Sequence, residues 1–141
     1  MTTIDMQTMR YINLLDKVSR VKTTKCYNYN NAIIFAVPRG FISQAIGVGS
    51  QNLRYISEQI GKKIRIIEQS DGDANNIDKI KKFIQDLVSP LQFNDAEYKD
   101  NVLVVNAGSQ SKAALIGRNR RREQELARII KDTYGVEIKI A

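Results

Sequence analysis

The spacing of apolar residues changes along the chain between a helical and an extended period, and these changes predict an ordered set of helices and strands. Intervals of three and four residues place apolar side chains on one face of a helix. One stretch with this spacing opens each half of the chain. The apolar positions are Tyr11, Leu14, Leu15 and Val18, and Ile77, Ile80, Phe83, Ile84 and Leu87.

Strands are predicted where apolar residues run together or alternate with charged ones. Residues 32–37 and 102–105 are apolar and rich in β-branched side chains, and weaker strands precede them at residues 22–29 and about 94–98. Residues 64–66 and 136–140 alternate apolar and charged positions, which is typical of a sheet with one buried face. Each half of the chain therefore predicts three strands.

The two halves repeat one another. Gly47 and Gly117 stand 70 positions apart, and each lies between a short helix and a longer one. The offset grows to 74 at the closing strand, and because four residues are close to one helical turn, we expect a longer last helix that ends at Gly135. Glu123 takes the position of Leu53, so the first turn of that helix is predicted to be more exposed.

The predicted fold class is α/β of the α+β kind, with two domains of α-β-β-α-α-β order at residues 1–70 and 71–141. Each domain should contain a three-stranded mixed sheet covered by helices on one face. The polar stretch 69–76 joins the domains and holds the N-cap of the next helix. Asp71, Asp73 and Asn75 have calcium-loop spacing, but Asn76 and Lys82 replace the glycine and the glutamate that such a loop needs.

The composition limits the functions that fit this fold. A net charge of +7 and a pI near 9.6 favour a polyanionic partner, and charge alone leaves open nucleic acid, an anionic membrane surface or no such partner. Cys26 is the single cysteine and there is no histidine, so the sequence offers no disulfide, no zinc ligand set and no usual general base. We therefore expect a non-enzyme without metal or cofactor. No apolar run is long enough to span a membrane, and we expect a soluble, cytoplasmic protein.

The repeated glycine turn carries the candidate chemistry. A glycine lets the chain turn tightly and lets a ligand approach the backbone, and the following helix start offers free N–H groups that suit phosphate. Two copies in matching register favour a functional turn over a plain helix connection. The candidate binding residues are Ile46, Gly47, Val48, Gly49, Ser50, Gln51, Asn52 and Arg54, and in the second copy Gly117, Arg118, Asn119, Arg120, Arg121 and Arg122.

The α-β-β-α-α-β order with a Gly-x-x-Gly turn between the two later helices resembles the type II, prokaryotic KH domain. A tandem pair in so short a chain, with residues 45–54 followed by Gly61-Lys62-Lys63-Ile64, resembles the archaeal NusA family over nearly the whole length. The resemblance implies two KH domains that clamp the backbone of single-stranded RNA. It also implies a transcription factor that acts in termination or elongation with RNA polymerase. We further expect a monomer that does not bind membranes.

The two copies depart from the Gly-x-x-Gly pattern in different ways. Ser50 replaces the second glycine of the first copy and is suited to a helix N-cap, whereas Arg120 brings a Cβ and a long side chain into the second turn. Basic residues outnumber acidic ones by seven to two between positions 112 and 131, so the second copy is predicted to hold RNA mainly by charge. On this basis Gly47→Asp should abolish most binding with the fold intact, and joint replacement of Arg120, Arg121 and Arg122 should lower the salt dependence.

Two alternatives to this function stay open. Tandem KH proteins also occur in ribosome biogenesis, and the altered second turn would fit a protein–protein adaptor that no longer binds RNA. The aromatic residues Tyr27, Tyr29 and Phe35 lie away from both turns in the sequence, so stacking platforms for bases are predicted to be sparse near the turns.

Overall fold

The computed structural model describes residues 6–141, apart from the side chain of Gln110. The chain divides into two compact units, the first ending at Gln69 and the second running from Ser70 to Ala141. Each unit has the order α-β-β-α-α-β and one three-stranded sheet, so the predicted α+β fold class is confirmed. Within residues 6–141, no helix combines the length and the hydrophobicity that crossing a membrane requires.

The two units contain the same elements in the same order. The first unit consists of α1 (Met6–Ser19), β1 (Lys25–Tyr29), β2 (Ala32–Val37), α2 (Ile42–Ile46), α3 (Gln51–Ile60) and β3 (Lys63–Glu68). The second unit consists of α4 (Ile77–Val88), β4 (Asp95–Lys99), β5 (Val102–Asn106), α5 (Ser109–Ile116), α6 (Arg121–Tyr134) and β6 (Glu137–Ile140). A short turn precedes both α3 and α6, at Val48–Ser50 and Arg118–Arg120.

Polar turns close the hairpin between the first two strands of each unit. Asn30 and Asn31 have φ of 50° and 60°, and Asp100 and Asn101 have φ of 51° and 64°. Left-handed backbone at both central positions defines a type I′ turn, whose twist matches that of the paired strands. Asn and Asp tolerate this left-handed conformation well. The turns therefore set the antiparallel register of both hairpins.

The first strand begins at Lys25, later than the predicted start at residue 22. Buried Thr23 accounts for the difference, because its hydroxyl donates to the carbonyl of Ala36 and accepts from the N–H of Lys25. The Thr23 side chain thus takes backbone partners that a longer strand ladder would use.

The middle strand of each sheet pairs antiparallel with the strand before it and parallel with the strand that closes the unit. In the first sheet β2 is buried along its whole length, so both faces of this strand are covered. The residues of β2 are all apolar, which suits a strand that exposes neither face. β6 alternates as predicted, with Glu137 and Lys139 exposed.

Complementary side-chain sizes fill the cores of the two units. In the first unit Phe35 from β2 and Ala45 from α2 belong to one buried cluster, which also contains Ile56 from α3. The second unit has Val105 and Leu115 at the positions of Phe35 and Ala45, and both are buried. A smaller residue on the strand is thus matched by a larger one on the helix, which keeps the summed volume similar.

The last helix of the second unit is longer, as predicted. α3 has 10 residues and ends at Gly61, whereas α6 has 14 residues and ends at Gly135. Both glycines have left-handed backbone, with φ of 79° and 72°, and donate their N–H back into the helix. Glu123 is half-buried like Leu53. The predicted greater exposure there is wrong, because the guanidinium of Arg120 lies 3.4 Å from the Glu123 carboxylate.

The acidic segment at the start of the second unit uses its side chains for turns and capping. Oδ1 of Asp71 accepts from the N–H of Asp73 at 2.9 Å, and Oδ1 of Asn76 caps α4 by accepting from the N–H of Lys79 at 3.2 Å. The Asp73 N–H and the Lys79 ammonium lower the pKa of the Asp71 carboxyl. Local turns therefore account for the calcium-like spacing of this segment.

Candidate functional site

The first glycine of each turn has a backbone conformation that glycine alone adopts readily. Gly47 has φ 80° and ψ 168°, and Gly117 has φ 75° and ψ 174°. Steric contact closes this region of the backbone map to residues that carry a Cβ. Each glycine therefore ends its short helix and sets the direction of the turn.

The next helix approaches the first glycine so closely that a side chain there has no room. A Cβ built on Gly47 would lie 2.8 Å from Cγ of Asn52, and one built on Gly117 would lie 2.9 Å from Cγ of Arg122. Close-packed side chains do not approach to that distance, so a substitution has to displace the neighbour. Gly47→Asp would therefore strain the turn and displace Asn52, so this variant tests the stability of the fold as well as RNA binding.

Asn52 and Arg122 hold the two helices of each turn together. Nδ2 of Asn52 donates to the carbonyl of Gln44 at 3.1 Å, and Nη1 of Arg122 donates to the carbonyl of Ala114 at 3.1 Å. Both carbonyls lie in the last turn of a helix, where they have no partner within it. Replacing the arginine run with Arg122 included would therefore disturb the turn as well as remove charge.

The middle of the turn has the same backbone in both units. Gly49 and Asn119 have φ of 59° and 56°, and Ser50 and Arg120 have φ of 62° and 59°. Asparagine is among the side chains that tolerate this left-handed conformation best. Arg120 leaves the turn unchanged, and its side chain extends to Glu123 in the first turn of α6. The altered sequence of the second turn therefore does not mean an altered shape.

Ser50 does not cap α3 with its side chain. It occupies the N-cap position, but its hydroxyl makes no capping hydrogen bond. A capping serine has extended backbone, whereas Ser50 has left-handed backbone with φ 62° and ψ 26°. Ser50 is therefore the N-cap residue of α3 without a side-chain cap.

The predicted site residues differ in exposure. Val48 at the tip of the first turn is 91% exposed. The other exposed members are Gly49, Ser50, Gln51, Arg54, Arg118, Asn119, Arg120 and Arg121. The half-buried members are Ile46, Gly47, Asn52, Gly117 and Arg122. The tip of the first turn is thus uncharged, whereas the tip of the second carries several cations.

A groove beside the first turn was not predicted from the sequence. It lies between α1 and α3 and has a volume of about 420 Å³. Its lining residues are Leu14, Lys17, Val18, Gln51, Asn52 and Tyr55. Tyr55 is 48% exposed and follows Gln51 by four residues, so an aromatic ring lies one helical turn from the glycine turn. The prediction that aromatic residues are sparse near the turns is wrong for the first unit, and the four-residue spacing was the missed signal.

These features together define a class of fold. Two repeated α-β-β-α-α-β units, each with a mixed three-stranded sheet and a glycine turn between its two later helices, are consistent with the fold of tandem KH-like domains. The crystal structure of APE1850 has the same fold: it matches with a TM-score of 0.67 at 23% sequence identity, over 98% of this chain and 100% of that one. At that identity the likeness establishes the fold alone.

The chain is similar to curated archaeal proteins that are each named probable transcription termination protein NusA. The protein from Methanocaldococcus jannaschii is 28% identical over 134 residues, which are 92% of this chain and 69% of that protein. The protein from Methanococcus vannielii is 29% identical over 110 residues, 75% of this chain and 60% of that protein. The protein from Halococcus morrhuae is 20% identical over 138 residues, 96% of this chain and 94% of that protein.

These relatives confirm the resemblance to archaeal NusA that the sequence predicted. The matched region spans 69% and 60% of the two methanogen proteins, so both have a part that this chain does not match. No protein-family model matches the chain.

Proposed function

We propose that the chain binds single-stranded RNA through its two glycine turns. In this proposal it acts as a cytoplasmic transcription factor in termination or elongation, in contact with RNA polymerase. Its function is binding rather than catalysis. The transcription termination proteins to which it is similar support this role.

One observation carries the proposal. Positions 48–51 and 118–121 differ at every residue, yet the two turns have the same backbone and the same close approach of the next helix to the first glycine. A plain connection between helices needs no such agreement. A shared backbone is expected if the backbone itself is the part that meets the ligand.

The turns present groups that suit a phosphate backbone. The first N–H groups of a helix have no partner within it, and the helix dipole adds partial positive charge at this end. α3 and α6 both begin directly after the turn. The N–H groups of Gln51 and Arg121 already donate to the carbonyls of Val48 and Arg118, so the N–H groups that follow them in each helix are the ones left for a phosphate. In the second unit Arg118 and Arg121 add exposed cations beside these N–H groups. The first turn would therefore hold phosphate mainly by N–H donors, and the second by N–H donors and guanidinium groups.

Gly49→Asp tests the first turn without deforming it. A Cβ built on Gly49 has no heavy atom within 4 Å, and the left-handed backbone of this residue is one that Asp and Asn tolerate. Two like charges about 4 Å apart repel by about 1 kcal/mol in water and by about 4 kcal/mol near a protein surface. We therefore expect the Kd for a short oligouridylate to rise at least about fivefold, measured by fluorescence anisotropy at low salt.

Gly49→Asn is the matched control, since it has nearly the same shape as the aspartate and no charge. Asn119 already occupies the equivalent position, and Asn119→Asp applies the same change of charge to the second turn. Equal affinity of Gly49→Asp and Gly49→Asn, with no effect of Asn119→Asp, would refute phosphate binding at the turns. Absence of RNA binding by the unaltered chain at low salt would favour the adaptor function instead.

A further inference from the structure

The groove of about 420 Å³ between α1 and α3 lies beside the first glycine turn. We propose that this groove binds a nucleobase of the RNA strand whose backbone passes that turn. The inference rests on the proposed RNA-binding function and extends it from backbone contact to base contact.

The lining of the groove has the chemistry of a base site. Leu14 and Val18 are half-buried and pack against the core of the unit, which gives the groove an apolar floor. Tyr55 keeps 48% of its surface exposed beside this floor. Bases of every kind stack on aromatic side chains, because each has a π-face. The amide of Gln51 and the ammonium of Lys17 are exposed at the same groove and can meet the polar edge and the phosphate of a nucleotide.

The groove and the turn share residues, so one strand can reach both. Gln51 and Asn52 line the groove and are also the first residues of α3 after the turn. Tyr55 lies one helical turn further, which is a rise of about 5.4 Å. A nucleotide next to the one whose phosphate lies at the turn is therefore within reach of the tyrosine ring.

Charge favours the same occupant. Lys17 and Arg20 are exposed at the end of α1, and Lys22 is exposed just after it. Asp16 is the acidic residue among them and is half-buried. An anionic strand is therefore attracted to this side of α1, whereas an uncharged apolar peptide would gain nothing from these cations.

The second unit offers an internal comparison. Its turn has the same backbone, but Glu125 stands at the position of Tyr55. A carboxylate provides no stacking surface and repels a phosphate. We therefore expect base contact at this position in the first unit only.

Tyr55→Leu and Tyr55→Phe form a matched pair, because phenylalanine keeps the aromatic ring and leucine keeps only the apolar character. The probes are hexauridylate and hexaadenylate at low salt, with affinity measured by fluorescence anisotropy. We expect Tyr55→Leu to bind both probes roughly 5- to 150-fold more weakly and Tyr55→Phe to stay within about twofold of the unaltered chain. Tyr98→Leu removes another exposed tyrosine, from β4 of the second unit, and should leave the affinity unchanged.

A second measurement locates the base. Irradiation of the complex with a 4-thiouridine hexamer should crosslink peptides that contain residues 14–18 or 51–55, and Tyr55→Leu should reduce these crosslinks. Crosslinks confined to other peptides would overturn the proposal. If Tyr55→Leu bound RNA with wild-type affinity while Gly49→Asp bound more weakly, the proposal of base binding in the groove would be overturned. The proposal of phosphate binding at the turn would stand. Wild-type affinity of both variants would overturn the two proposals together.

Discussion

Gly47→Ala should destabilise the first unit far more than Gly49→Ala, although both glycines lie in one turn. The conformation of Gly47, φ 80° and ψ 168°, costs a residue with a side chain about 1–3 kcal/mol. The new Cβ would also displace Asn52, which loses its 3.1 Å hydrogen bond to the Gln44 carbonyl at a cost of about 0.5–1.5 kcal/mol. Together the two effects lower the free energy of unfolding by about 1.5–4.5 kcal/mol.

Gly49 is also a glycine of this turn, but its surroundings have room for a side chain. Its φ of 59° is left-handed, and a Cβ there meets no heavy atom within 4 Å. Left-handed backbone costs alanine about 1–2 kcal/mol, and the reduced freedom of the unfolded chain offsets about 0.4–1 kcal/mol of this. This offset applies equally to Gly47→Ala and cancels in the comparison. The middle values of the two costs, about 3 and about 1.5 kcal/mol, therefore put the difference between the variants at about 1.5 kcal/mol.

Hydrogen exchange of peptides covering residues 42–60 measures this difference locally and does not require the two units to unfold together. Gly47→Ala should raise the exchange rate of α2 and α3, and Gly49→Ala should change it little. The double variant Gly47→Ala/Asn52→Ala should lose less stability than the two single variants lose in sum. Alanine at position 52 leaves free the space that a Cβ at position 47 needs. Two outcomes would contradict the close approach of Asn52 to Gly47. One is an equal loss of stability in Gly47→Ala and Gly49→Ala, and the other is additive losses of stability in Gly47→Ala and Asn52→Ala.

Two further predictions concern the second turn. Replacing Arg118 and Arg121 by glutamine should reduce the slope of log Kd against log salt concentration by roughly 0.7 for each lost phosphate contact. The charge-matched pair Lys99→Gln and Lys139→Gln should leave the slope unchanged, and an equal change in both pairs would mean that the arginines act only through net charge. Arg120→Gly should weaken RNA binding while leaving the free energy of unfolding in urea nearly unchanged. The relief of about 1–2 kcal/mol of left-handed strain is offset by about 0.4–1 kcal/mol from the freer unfolded chain and by up to about 1 kcal/mol from the lost ion pair with Glu123. A variant that binds more tightly would contradict a role for this cation.

The order of elements and the repeat could be predicted from the sequence, because both depend on local spacing. The length of α6 was predicted from four extra residues before Gly135. The glycine turns were predicted because each lies between two stretches with helical spacing of apolar residues. The structural roles of Asn52 and Arg122 could not be predicted in this way. Each side chain reaches back across the turn to a helix that ends before it, and periodicity does not report such a contact. The sequence therefore predicted RNA contacts for residues whose side-chain nitrogens donate hydrogen bonds within the fold.

The groove was missed for a related reason. Tyr55 belongs to a helix whose apolar spacing was read from Leu53, Ile56 and Ile60, and an aromatic residue between them indicates only an exposed position. Its role in the groove depends on α1 lying beside α3, because Leu14 and Val18 of α1 line the same groove. Helix adjacency is a tertiary property, and hydrophobic spacing within one helix does not reveal which other helix packs next to it.

The second turn has strain that stability alone does not explain. Asn119 and Arg120 both have left-handed backbone, which costs about 1–2 kcal/mol for a residue such as arginine and less for asparagine. The ion pair of Arg120 with Glu123, at 3.4 Å and with 73% of the arginine side chain exposed, contributes at most about 1 kcal/mol. A glycine at position 120 would remove this strain, which Ser50 also carries at the equivalent position of the first turn. Local strain is characteristic of functional positions, and phosphate binding at the turn, as we propose, would give Arg120 a function that offsets its cost.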